Sequence, residues 1–181
     1  MATRLYQYGK LPTVIKQNTW FPGMFATAWG VNVNATGVLG ADIAIEYGEL
    51  VKIAELGADA SANFSVTRVA ADTTKFGVIL RTTDGQINME ATAIERPRTN
   101  TPMSVYPLSA SNYFRVAVPI IASQVVTIGA VPSACIVSGS EGAVQVGTGN
   151  GGIALTDWVF ASKPFKPTGS NSEVVLIEKT V

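Results

Sequence analysis

From residue 37 to the end, short apolar runs alternate with glycine, proline and small polar residues, and turn signals recur roughly every 8–12 positions. This punctuation is the strongest constraint on the fold. A run of four or five residues is too short for a packed helix but long enough for a strand, whose side chains alternate between two faces. The runs are Ala44-Ile45-Glu46-Tyr47, Leu50-Val51-Lys52-Ile53, Ser65 to Val69, Phe76 to Arg81 and Ser104-Val105-Tyr106. They continue with Tyr113 to Val118, Val125 to Gly129, Ala134 to Val137, Ala143 to Val146, Trp158-Val159-Phe160 and Val174 to Ile177. Asp84-Gly85 is a hairpin-turn dipeptide, and prolines follow the runs ending at Tyr106 and Val118. Ile87 to Ile94 reads equally well with helical or alternating period. Parallel α/β architecture needs long amphipathic crossovers, and the text contains none. The expected fold is all-β: an antiparallel β-sandwich or barrel-like domain over residues 37–181, with 125–181 as a candidate sub-barrel.

Residues 1–36 differ from the rest and are expected to form an extended N-terminal arm. They are rich in aromatic and amide side chains, are interrupted by Pro12, Pro22 and Gly23, and hold neither period for long. Trp20, Phe21, Phe25 and Trp29 are the candidate partner-binding residues, because interface energy concentrates in aromatics. The same four side chains could instead plug the core of their own domain.

Chemistry is limited by what is missing. The 181 residues contain no histidine, which removes Ser-His-Asp and Cys-His nucleophile systems, the usual zinc sets and the commonest general base. Glu46 and Glu49 are separated by a turn at Gly48 and read as charged hairpin tips rather than a glycosidase pair. The run Gly147-Thr148-Gly149-Asn150-Gly151-Gly152 lacks the lysine of a phosphate loop and leads into Ile153-Ala154-Leu155, so a flexible β-loop is expected. Cys135 is the only cysteine and lies in an apolar run; it is expected to be a buried hydrophobe, and no internal disulfide can form. Asn34 and Asn63 match glycosylation acceptors by chance, and Tyr113-Phe114-Arg115 reads as a strand rather than a base-stacking platform. The chain is expected to be non-enzymatic, to need no cofactor or metal, and to contact neither nucleic acid nor membrane directly.

Composition points to a protein partner. Charged residues make up only 14% of the chain, against about 25% in an ordinary soluble domain, while 47% of residues are hydrophobic. Net charge is zero, but its distribution is uneven. Arg4, Lys10 and Lys16 precede any acid; Asp42 to Glu95 carries nine acids against four bases; the remainder carries six bases against four acids. So little charge suggests a surface partly covered by another protein. Met1 to Lys16 has no continuous apolar core of a signal peptide, and no run of about 20 apolar residues is present, so synthesis and folding in a reducing cytoplasm are expected.

Lys75-Phe76-Gly77-Val78-Ile79-Leu80-Arg81, Asn100-Thr101-Pro102-Met103-Ser104-Val105 and Arg115-Val116-Ala117-Val118 together resemble the central region of structural cement proteins of tailed bacteriophages. The runs Val125 to Gly129, Ala143 to Gly147 and Ala154 to Phe160 are similar in style to head decoration domains. The likeness spans residues 40 to 181 in pattern and only short pieces in identity. It implies a virion protein on the capsid exterior that binds the major capsid protein and stabilises the expanded head. It also implies a homo-oligomer, with a trimer at local threefold positions as the form. The alternatives from the sequence are a phage tail or head-fibre component, and a carbohydrate-binding β-sandwich using Trp20, Trp29 or Trp158.

Overall fold

A computed structural model describes residues 22–23, 36–39, 45–54, 63–80, 102–109, 115–167 and 172–180. Eleven strands lie among them: β1 Thr36–Leu39, β2 Leu50–Ala54, β3 Asn63–Arg68, β4 Phe76–Ile79, β5 Pro102–Pro107, β6 Arg115–Pro119, β7 Pro132–Ala134, β8 Val144–Val146, β9 Ile153–Ala154, β10 Trp158–Phe160 and β11 Val174–Lys179. One 3-10 turn, Gly149–Gly151, is the sole helical element among the described residues. The fold is all-β. The Asp84-Gly85 turn and the segment Ile87 to Ile94 lie outside the described residues.

β1 to β5 close into a barrel in the order β1-β3-β2-β4-β5, with β5 returning to β1. Its junctions are antiparallel except β1 with β3, which run parallel in register from Thr36 opposite Asn63 to Leu39 opposite Val66. Alternation explains why one barrel has two apolar surfaces. Val51, Ile53, Val66, Ile79 and Val105 fill the interior with Ile45 and Tyr47, while Leu50, Val78, Leu80 and Tyr106 face outward into a second cluster. Gly77 belongs to the inner set for want of room: a Cβ there would sit 2.7 Å from Val105 Cγ1 and 2.8 Å from Ile53 Cδ1.

The second half of the chain packs on that outer barrel surface. Sheet β10-β11-β6 and sheet β8-β7-β9 contribute Val116, Val118, Ala134, Val144, Trp158, Phe160, Val175 and Ile177 to the shared core. The opposite face of β6 and β11 buries Ala117, Val174 and Leu176 beneath Ala161 and Phe165. Both faces of this sheet are therefore covered, which is why Val174-Val175-Leu176-Ile177 is a continuous apolar run. Leu176 N–H donates to Ser162 Oγ (2.9 Å), so a fully buried hydroxyl takes a backbone bond in the core.

Two expected strands are absent. Ile45-Glu46-Tyr47 forms a buried turn, since Gly48 at φ +83° reverses the chain and Gly48 N–H donates to Ile79 O (2.8 Å). Val125 to Gly129 is also not a strand: Ala130 N–H donates to Thr127 O (3.1 Å), folding the segment into a turn. In both places the strand signal is local residue type, and a strand needs a partner along its length.

Candidate partner-binding surfaces

Trp20, Phe21, Phe25 and Trp29 lie outside the described residues, whereas Pro22 and Gly23 lie within them. Pro22 and Gly23 are buried, and Gly23 N–H donates to Ala117 O at 2.8 Å. Ile120 N–H bonds across to Glu173 O (3.0 Å), so bonding alternates back along β6 and Ala117 turns its carbonyl away from β11. The free edge of β6 thus receives Gly23, while Pro119, which has no N–H, blunts the same edge. On the other side, a Cβ on Gly48 would lie 2.5 Å from Gly23 N and 2.7 Å from Pro22 Cβ. Gly48→Ala is therefore expected to expel Pro22–Gly23 and to cost about 1–2 kcal/mol through its left-handed backbone alone. Faster amide exchange at Gly23 and faster proteolysis before residue 36 would report it; unchanged exchange at Gly23 would contradict it.

A second surface lies at one end of the β7–β8 pair. Large exposed hydrophobics among the described residues are Val125 (86% exposed), Ile128 (57%), Val131 (42%), Val137 (40%) and Val146 (41%). Pro132 opens β7 opposite Val146, so Val131 and Val146 share that end. Val146 N–H donates to Gln124 Oε1 (2.5 Å), which brings Val125 to the same end, and Ile128 tips the adjoining turn. Val137 follows the opposite end of β7. The glycine loop leaves from Val146 and is exposed throughout 147–151. It is nonetheless held: the buried Gln145 amide donates to Gly147 O (3.2 Å) and Gly149 O (2.5 Å). The loop passes into β9, not a helix, which rules out a phosphate-loop geometry there.

The third feature is a groove of about 740 Å³ over Pro119 to Ala122, flanked by Glu46, Glu49, Glu141, Glu173, Arg68 and Lys166. Its carboxylates hold the surrounding loops. Glu49 Oε2 accepts from Glu46 N–H (2.8 Å), Glu141 Oε2 from Gly139 N–H (2.7 Å), and Glu173 Oε2 from Ser123 N–H (3.2 Å). Glu49 therefore caps the turn it ends, and the pair sits on a turn before β2 and not at the tips of a hairpin, because the strand expected over Ala44 to Tyr47 is absent at Ile45 to Tyr47. Glu141 also pairs with Arg68 (3.3 Å), tying the 138–142 turn to the barrel. Hydrogen bonds from its own amide and from Gly139, with Arg68 beside it, hold the Glu141 carboxyl below the usual carboxylate range against the opposing effect of burial. Lys52 does the same to Asp72 through a direct hydrogen bond. A carboxylate with a lowered folded pKa contributes stability that is complete above its unfolded value and lost as pH falls through the folded one. Melting temperature is thus expected to fall below about pH 4, and Glu141→Gln to flatten that fall. An unaltered acid profile in the variant would exclude this contribution.

Other expected sites resolve simply. Cys135 is fully buried, as expected. Trp158 is 2% exposed in the shared core and offers no face to a sugar; Trp20 and Trp29 lie outside the described residues. Arg115 Nε donates to Glu178 Oε2 (2.7 Å) across the β6–β11 register, while Tyr113 and Phe114 lie outside the described residues. Among the described residues no three His, Cys, Asp or Glu side chains assemble as metal ligands, and no helix is long and apolar enough to cross a membrane. The apolar end of β7–β8 holds no aromatic residue and so is not among the candidates that aromatic residues mark in the sequence. Its signal was present: Glu141 is the only charged residue between Arg115 and Asp157.

These elements define a class of protein, an all-β chain in which a five-stranded barrel packs against two three-stranded sheets and presents loop surfaces. The fold is similar to that of a chain in the solved capsid of Myoviridae phage XM1, with a TM-score of 0.58 over 93% of this chain and 95% of that one. Identity between them is 19%, so the likeness is one of fold. No family model and no curated protein matches the sequence.

Proposed function

We propose that this is a virion structural protein that decorates the outside of a phage capsid and cements the expanded head by bridging major capsid subunits. The observation that carries the reading is the near full-length fold likeness to a chain of a solved phage capsid. The low charge content supports it, since little charge must be desolvated when protein surfaces meet. The mechanism needs no catalysis and no cofactor. A protein that binds the expanded lattice better than the unexpanded one stabilises the former by the difference in affinity. Repetition over many identical sites makes weak single contacts collectively strong, more so if the protein is itself an oligomer.

In this reading residues 1–36 form an arm on a domain spanning 37–181, and Trp20, Phe21, Phe25 and Trp29 anchor the arm on the capsid. The anchoring of Pro22–Gly23 on β6 supports it by fixing where the chain departs. The partners are the major capsid protein and further copies of this chain, with no direct contact to DNA or membrane. The protein is made in the host cytoplasm and resides on the virion exterior.

Co-sedimentation with expanded heads lacking the protein, against unexpanded proheads, tests the function. Saturable binding to expanded heads only, with a raised head melting temperature, is expected. Binding to neither particle overturns the reading. Substituting Trp20→Ala and Trp29→Ala together in the full chain is expected to weaken head affinity about tenfold or more, as loss of aromatic anchors does. Unchanged affinity removes the arm from the mechanism.

A further inference from the structure

We infer that the groove over Pro119 to Ala122 is the seat of this chain's own basic stretch, the residues before Pro22 that carry Arg4, Lys10 and Lys16. That stretch lies outside the described residues; the groove and its rim lie within them. The inference goes beyond the virion reading. It concerns the isolated chain, so its test can fail while head binding stands, and the reverse.

The same two elements build the groove and the place where Pro22–Gly23 is held. In the turn before β2, Gly48 packs against Pro22 and Gly23, while Glu46 and Glu49 of that turn line the groove. β6 takes Gly23 N–H on Ala117 O (2.8 Å), and two residues later it enters the groove as Pro119. Pro22 therefore stands at the groove's rim. Lys16 lies six residues earlier, and six extended residues span at most about 20 Å, so the groove is within its reach.

Charge selects the occupant. Glu46, Glu49, Glu141 and Glu173 line the groove against Arg68 and Lys166, a net charge of −2, and Arg68 is committed to Glu141 (3.3 Å). Residues 1–21 hold three bases and no acid, and the first acid in the sequence is Asp42. An acidic segment is repelled by this rim, and a neutral one brings it no counter-charge; a basic one is attracted. Any basic peptide meets the same rim, but the chain's own stretch is already tethered beside it. A short tether gives an effective concentration of about millimolar, so even the weak ion pairs of an exposed rim hold it ahead of a free competitor. At about 740 Å³ the groove has room for a few side chains and none for a folded domain.

The test joins carboxylates directly to amines with a carbodiimide in the full-length chain and locates the coupled peptides by mass spectrometry. Lys10 or Lys16 is expected to be joined to Glu46, Glu49 or Glu173 in the monomeric fraction. The yield is expected to fall severalfold in about 1 M salt, which screens exposed ion pairs. A second readout keeps the basic stretch intact and reverses the rim: in Glu46→Lys/Glu173→Lys, tryptic cleavage after Lys16 is expected to quicken about tenfold, since cleavage tracks the population of the open form. The variant's melting temperature is measured first, and if it does not fold, the cross-links of the wild type decide alone. Absence of any such cross-link overturns the inference, as does cleavage at the wild-type rate in the folded variant. Cross-links confined to covalent dimers overturn it too, and give the groove to a neighbouring copy. If the reversed rim costs head binding while no cross-link forms in the wild type, a basic segment of the capsid fills the groove; the inference fails and the virion function stands.

Discussion

Phe160→Ala is expected to lower folding stability by about 3–5 kcal/mol, the usual loss for deleting a buried aromatic side chain. Phe160 is fully buried in β10 and belongs to the cluster joining the barrel's outer face to both three-stranded sheets. Its backbone is committed as well. Phe160 N–H donates to Ala130 O (2.9 Å), Gly129 N–H donates to Phe160 O (2.8 Å), and on the other side Phe160 pairs with Ile177. Neighbours fixed on two sides can collapse little into the vacated space, so the cavity remains. For a chain of this length the loss corresponds to a fall in melting temperature of about 6–20 °C. Because Gly129 and Ala130 follow Ile128 directly, the change should also loosen the exposed end of β7–β8. Denaturant unfolding measures the stability, and a loss below about 1 kcal/mol would mean that Phe160 is not at the centre of the core.

Gly142→Ala is expected to cost about 2–4 kcal/mol, from a left-handed backbone and a steric clash acting together. Gly142 sits at φ +84°, where a side chain is strained whatever the space. A Cβ there would also lie 2.5 Å from Leu50 O and 3.2 Å from Glu49 Cβ. The same residue links the two halves of the molecule: Leu50 N–H donates to Gly142 O (2.8 Å), and Gly142 N–H donates to Cys135 O (3.1 Å). Relief of the clash must move the turn off the start of β2, which breaks the first bond and strains the Arg68–Glu141 pair. The control is Gly139→Ala, at φ +85° but with open space around its Cβ. It should show the backbone cost alone, about 1–2 kcal/mol. Equal losses at the two positions would show that the contact with Leu50 carries no weight.

Much of the strand content was legible because the relevant forces are local in sequence. Trp158-Val159-Phe160 and the run from Val174 were visible as strands, bounded by turn residues and apolar on the faces that are buried. Prolines at 107 and 119 close β5 and β6 as their missing N–H requires. The burial of Cys135 and the loop character of 147–152 followed from residue type. Val125 to Gly129 misled for an equally local reason. Val-Val-Thr-Ile is β-branched throughout, as strands favour, but Gly129 and Ala130 give their hydrogen bonds to Phe160 and Thr127, leaving the preceding residues without a ladder. The apolar end of β7–β8 carries no aromatic residue, so side-chain type does not mark it out in the sequence as it does residues 20–29. A lack of charge over some 40 residues is a quieter signal than a tryptophan.

By itself, the sequence determined that the chain is all-β and histidine-free, with too little charge to cover an ordinary surface. It did so because period, turn chemistry and composition act over a few residues at a time. Tertiary structure decided that β1 runs parallel to β3 and pairs with β5 to close the barrel, and that Gly77 makes room for Val105 and Ile53. It also decided that Val78 faces the outer cluster while Ile79 faces the barrel interior, and that Pro22–Gly23 lies against Gly48. Those choices join residues tens of positions apart. They are settled by which surfaces bury each other and which backbone groups find partners, quantities that no single stretch of sequence contains.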